Sequence, residues 1–237
     1  MKLNNRLFLP GTDEQISIFF NSISVKDKSV LVIGGGSEEI AEKFHQKNAE
    51  EIDLIIDDED SLLQARFTLS KNKEINIRMM DFDNTDFKAE RFDIVYSQGS
   101  TGTKKRNKII KEITRILNPG GHFCIGEIVG LTKTPPQFVK DIWEKSSLSP
   151  LYYEELKNYY LSKNFELILE QDLSETLKEF YSMTELLVKK SSKILSDEEK
   201  EFEKMIKTFG HEAKAYLKLG GDKNIGFRML VLQKVQV

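Results

Sequence analysis

A chain of 237 residues, 39% hydrophobic and 31% charged, has the length and composition of one sizeable folded domain, not of a disordered or fibrous chain. Its formal net charge of −3 disfavours nucleic acid as a partner, and its single cysteine, Cys124, excludes an internal disulfide framework and a cysteine-built metal site. No apolar run is long enough to span a bilayer, and the N-terminus "MKLNNRLFLPG" is too short and polar for a signal peptide, so a cytoplasmic protein is expected.

In chain order, Ile16, Phe19, Phe20 and Ile23 recur at helical spacing and predict an N-terminal helix. "SVLVI" (Ser29–Ile33) reads as a buried strand that runs into Gly34, Gly35 and Gly36; Ile40, Ala41 and Phe44 then share one helix face. "EIDLII" (Glu51–Ile56) is a second strand, followed by a helix over "SLLQARF". "INIRMM" (Ile75–Met80) and "FDIVYS" (Phe92–Ser97) are two more strands. Ile109, Ile110, Ile113, Ile116 and Leu117 form the stripe of a helix that stops at "NPGG", and "HFCIGEI" (His122–Ile128) is a fifth strand. Beyond it, "PPQFVKDIWEK" and "SPLYYEELKNYY" read as helices and "FELILEQ" (Phe165–Gln171) as a strand. One further helix holds Leu177, Phe180, Tyr181, Thr184 and Leu187. Another opens at a capping box, Ser196 to Glu199, and carries Phe202, Met205, Ile206, Phe209, Ala213, Tyr216 and Leu217. "GFRMLVLQKV" is the last strand. Short strands alternating with helices predict an α/β fold, a mostly parallel sheet with helices on both faces.

Such sheets bind ligands at the carboxyl ends of their strands. A glycine turn lets a ligand approach the backbone, and the helix start behind it offers unpaired N–H groups to an anion. Asp57 and Asp58 end the second strand about twenty residues on, where a carboxylate can accept from ribose hydroxyls. Either could instead cap the following helix; one is expected to cap and the other to bind. Asp81 ends the third strand. Glycine, aspartate and aspartate at three consecutive strand ends describe a nucleoside-shaped site with room for a short anionic tail. Three scattered histidines and one cysteine offer no metal-ligand spacing.

The pieces "VLVIGGGS", "LIIDDEDSLLQAR", "MMDFDNTDF", "RFDIVYS" and "RILNPGGHFCIGEI" stand in the order and at the spacing of the class I S-adenosylmethionine-dependent methyltransferases, which the chain resembles over most of Ser29 to Ile128. "FLPGTDEQISIFF" is similar to the start of a small-molecule, quinone-biosynthesis-like branch. The resemblance implies a Rossmann-like, doubly wound, seven-stranded sheet with S-adenosylmethionine as cofactor. It implies that the turn of Gly34, Gly35, Gly36 and Ser37 holds the methionine part, with Gly34 and Gly36 the matching glycines. It gives Asp57, with Asp58 as alternative, the ribose; Asp81 the adenine amine; and Phe82 the ring. Ser97 and Gln98 fall where the methionine moiety meets the incoming substrate. Two positions depart from the pattern: Val32 stands where many members have Asp, and Glu38 stands at the third glycine. A glutamate there is expected to repel the cofactor carboxylate and weaken binding.

One domain spanning 1–237 is expected, with a cofactor core at 29–128, a helical substrate cap at 129–164 and 174–219, and a final strand at 225–235. Glu127, Trp143, Tyr153, Tyr181 and His211 are the groups expected near the substrate; none stands out as a catalytic base. The expected activity is methyl transfer to a small-molecule acceptor, with no nucleic acid and no membrane span. The alternative is a non-catalytic protein of the same fold that binds the cofactor or a protein partner.

Overall fold

The computed structural model describes residues 7–191 and 210–236. The expected capping box at 196–199 and the stripe positions 202, 205, 206 and 209 lie outside the described residues. The elements run α1 (Thr12–Ser22), β1 (Ser29–Ile33), α2 (Glu38–Gln46), β2 (Glu51–Ile56), α3 (Glu59–Thr68), β3 (Ile75–Met79), β4 (Phe92–Gln98) and α4 (Arg106–Ile116). They continue with β5 (Leu117–Gly130), α5 (Gln137–Lys145), α6 (Tyr153–Leu161), β6 (Phe165–Asp172), α7 (Thr176–Ser191), a helical segment α8 (210–218), a 3-10 turn (Gly221–Lys223) and β7 (Ile225–Lys234).

One seven-stranded sheet has the order β3-β2-β1-β4-β5-β7-β6. β7 is antiparallel to both its neighbours, and the other pairings are parallel. β1 is buried along Val30–Ile33 and β2 along Ile52–Ile56, with Asp53 buried among the apolar residues of β2, because helices cover both faces of the sheet. The strand order reverses between β1 and β4, where Ile33 pairs with Ser97. This reversal opens the crevice in which a doubly wound sheet holds its ligand.

The core lies in two layers. On one face Phe19 of α1, Phe44 of α2 and Tyr96 of β4 meet with ring centroids 5.6–5.9 Å apart, joined by residues of α3, α5, α7 and α8. On the other, Ile109, Ile110, Ile113 and Ile116 of α4 pack with Leu156 and Tyr160 of α6. Burying such side chains stabilises the fold by roughly 1.5–3 kcal/mol each before entropy is counted.

Several element ends differ from the sequence reading by a residue or more. Ile23 adopts extended geometry as the residue closing α1, and Met80 falls just past β3. Leu117 is not the last residue of α4 but the first of β5, pairing with Phe92. "NPGG" is therefore an irregular stretch inside β5: the register shifts between Phe92 and Ile94, and Gly120 takes a positive φ of 73°. Asn118 fixes the kink by donating from Nδ2 to Asp93 at 3.1 Å. No described helix is long and apolar enough to cross a membrane.

Candidate functional site

The turn after β1 is built for close approach. Gly34 has φ 119° and Gly36 φ 77°, the region that favours glycine. A Cβ on Gly34 would overlap Ser100 Oγ, so the loop after β4 lies directly on this glycine. The N-terminal segment covers the crevice from above. Leu9 sits over Gly36, Pro10 sits beside Gly99, and Gln98 Nε2 donates to Pro10 O at 2.8 Å and Thr12 O at 2.9 Å.

Asp57 and Asp81, at the ends of β2 and β3, line a cavity of about 540 Å³ together with Phe82. The loop after β4 adds Ser100, Thr103, Lys104 and Lys105, and α5 forms the far wall with Lys140 and Trp143. Asp58, by contrast, is the helix cap: its Oδ1 accepts from Ser61 N at 2.8 Å, closing one orphan donor of α3. Of the two neighbouring acids, Asp58 takes the capping role and Asp57 is left lining the cavity. Burial raises the Asp57 pKa, with the charges of Asp58 and Asp81 adding to it and Lys105 opposing. Such a carboxyl has capacity to accept from neutral hydroxyls. Asp83 turns from the acid cluster to hold Lys105 at 2.9 Å.

The structure separates the expected site residues into two groups. Gly34, Gly35, Gly36, Ser37 and Ser97 lie at the β1–β4 crevice, and Asp57, Asp81, Phe82 and Trp143 line the cavity beside it. Gln98 belongs to the crevice but has no free polar atom, because Tyr96 OH donates to its Oε1 at 2.8 Å while Nε2 holds the N-terminal segment.

Glu127, Tyr153, Tyr181 and His211 do not line the cavity, against expectation. Glu127 is fully buried in a knot: Arg106 binds it from Nε and Nη2 at 2.9–3.2 Å, Thr101 donates at 3.0 Å and Tyr160 at 2.6 Å. Tyr153 stacks beneath Arg228 at 4.1 Å, at the edge of a separate hollow. Tyr181 is core, stacked on Tyr216 with centroids 4.5 Å apart. His211 is exposed on α8. As for the expected cap, α5 is the helix at the cavity; α7 and α8 stand behind it, and Ser146 at the end of α5 donates to Glu212 of α8. The sequence reading missed Ser100, Thr103, Lys104 and Lys105. Their position directly after β4, at the carboxyl edge of the sheet, was the signal that could have found them.

Buried polar atoms on the turn and on the elements next to it have unmet bonding capacity. Ser37 Oγ, Ser97 Oγ, Gln15 Oε1 and Glu38 Oε1 are buried and have no hydrogen-bond partner. Buried polar atoms are rarely left unpaired, and those that are ask for a ligand or water. Among the described residues no cluster of His, Cys, Asp or Glu could hold a metal ion.

Comparison with known proteins agrees with this geometry. Residues 31–125 match the family model described as a methyltransferase domain. No curated protein sequence matches the chain significantly. Among solved structures, a Galdieria sulphuraria protein described as a sarcosine dimethylglycine methyltransferase superposes with a TM-score of 0.77 at 14% identity, over 94% of this chain and 85% of that one. The [4+2]-cyclase SpnF gives 0.76 at 16% identity, over 95% and 81%. A phosphoethanolamine N-methyltransferase from Haemonchus contortus, solved with phosphomonomethylethanolamine and S-adenosylhomocysteine, gives 0.78 at 17% identity. It matches 98% of this chain but 55% of its own length.

Proposed function

We propose that this chain, which carries a class I S-adenosylmethionine-dependent methyltransferase domain, transfers the cofactor's methyl group to a small-molecule acceptor. The observation that carries the reading is the series of strand ends. Gly34 after β1, Asp57 after β2 and Asp81 with Phe82 after β3 stand side by side along one edge of the sheet, with one cavity running past the two acids. The fold is not what argues for methylation, since a [4+2]-cyclase shares it.

In this reading the bound cofactor supplies an electrophilic methyl group on a sulfonium. The chain's own residues bind and align. Asp57 accepts from the ribose hydroxyls, Asp81 from the adenine amine, and Phe82 packs on the ring. The unpartnered Ser37 and Ser97 hydroxyls meet the amino-acid tail. Holding the reactants in line and excluding water provide much of the rate in such a displacement. An acceptor seated against the Trp143 wall brings its own nucleophile. A cavity of about 540 Å³, with Trp143 on its far wall, supports an acceptor of small size. The acidic balance agrees with an acceptor other than nucleic acid. The N-terminal cover over the crevice supports the small-molecule branch suggested by "FLPG".

A second reading, binding without turnover, draws on the crevice itself: Ser100 lies against Gly34, and Glu38 puts a buried acid beside the turn. Calorimetry with S-adenosylhomocysteine, followed by transfer of labelled methyl groups to a panel of small amines, acids and phenols, tests both. Binding with transfer supports the enzyme. Binding without transfer to any acceptor supports the second reading, and absence of binding removes the enzyme and leaves a non-catalytic fold that binds a protein partner.

A further inference from the structure

The cavity has two ends of different chemistry. Asp57 and Asp81 follow β2 and β3, and the loop after β4 with helix α5 forms the opposite wall. Asp83 is spent on Lys105 at 2.9 Å. The opposite wall then keeps three charged side chains, Lys104 of the loop and Lys140 and Glu144 of α5. None of the three meets an ion-pair partner among the described residues, although Lys140 and Glu144 stand one turn apart on the same helix. The balance on this wall is one net positive charge.

A single exposed lysine calls for no ligand, because its ammonium group is strongly hydrated and its stem is mobile. Two lysines from separate elements lining one concave wall are a different case, since ligand pockets set a few polar groups among apolar ones. The apolar part is present in Ile109, Leu148 and Trp143. Trp143 adds an observation of its own. Its Nε1 is buried and has no hydrogen-bond partner. Such atoms are rare in folded chains, and an indole N–H can only donate. Ammonium groups likewise only donate. Two cations and an unpartnered N–H outweigh the one carboxylate, so the complementary ligand brings acceptor oxygens and negative charge.

We propose that the acceptor carries an anionic group, a carboxylate or a phosphate, which Lys104 and Lys140 receive while its apolar body packs on Trp143. The proposal names the acceptor class for the methyltransferase reading above and rests on that reading. The anionic group is the handle by which the acceptor is held.

Trp143 is the single tryptophan of the chain, so its fluorescence reports from this wall. The test titrates protein saturated with S-adenosylhomocysteine with four probes of similar size: benzoate, phenyl phosphate, neutral benzamide and cationic benzylamine. One or both acids should perturb Trp143 with an affinity at least tenfold above those of benzamide and benzylamine, and that preference should weaken as salt is added. The stronger of the two acids tells carboxylate from phosphate. The double variant Lys104→Gln with Lys140→Gln should abolish the preference and leave affinity for S-adenosylhomocysteine within twofold. Benzamide or benzylamine binding as tightly as the acids overturns the proposal; with benzylamine, Glu144 sets the sign of the site. A preference that survives the double variant overturns it, and so does a lack of any saturable response to the acids at millimolar concentration. If the unmodified protein does not bind S-adenosylhomocysteine, the methyltransferase reading fails and takes this proposal with it, which separates the two failures.

Discussion

Asp57 and Asp58 are adjacent in sequence, and their side chains do different work. Asp58 spends an oxygen on Ser61 N, whereas Asp57 faces the cavity. Asp58→Ala should cost about 1 kcal/mol of stability, the usual loss for a cap, measured by urea unfolding. It should leave affinity for S-adenosylhomocysteine unchanged. Asp57→Ala should do the reverse: stability nearly intact and affinity reduced roughly 10- to 150-fold, the equivalent of about 1.5–3 kcal/mol for hydrogen bonds to a charged group. Equal affinity in both variants would remove Asp57 from the site.

At the scale of elements, two buried carboxylates tie helices to the sheet. Glu127 of β5 joins Arg106 at the start of α4 to Tyr160 of α6 and to Thr101 in the loop that lies on Gly34. Arg106→Ala leaves that carboxylate buried without its cation, so a loss of about 3–5 kcal/mol is expected in chemical denaturation. The double change Arg106→Met with Glu127→Leu should cost far less, because no charge is stranded. Glu112 of α4 clamps the segment before β4 by accepting from Thr85 N at 2.9 Å and from Arg115. Burial disfavours its ionised form, but the bonds from Arg115 and Thr85 prevail and bring its pKa down to about 2. A depressed carboxylate contributes stability that is present above its ordinary value of 4.5 and lost as pH falls through about 2. The difference in unfolding free energy between the protein and Glu112→Gln, about 2–3 kcal/mol at neutral pH, should therefore shrink across that window. A pH-independent difference would show that the clamp is steric.

For the whole molecule, a ligand that binds only the folded chain stabilises it by mass action. S-adenosylhomocysteine at a hundred times its Kd should add about 2.7 kcal/mol. For a chain of this length that raises Tm by roughly 5–10 °C. A nicotinamide dinucleotide at the same concentration should produce no shift.

The central strands were legible in the sequence because they are short, mostly apolar runs bounded by turn residues, with both faces buried under helices. The glycine turn was legible because positive φ at Gly34 and Gly36 favours glycine, and the acids at 57 and 81 were legible as carboxylates just past strand ends. The departures lie where partners are distant in sequence. Glu127 reads as a free acid until Arg106 and Tyr160, 21 and 33 residues away, are folded onto it. Tyr181 reads as a pocket aromatic until Tyr216 stacks on it. Local pattern determines which residues can enter a strand, a turn or a helix. Only the tertiary structure decides whether a polar side chain is already paired, because pairing depends on what the rest of the chain brings within 3 Å of it.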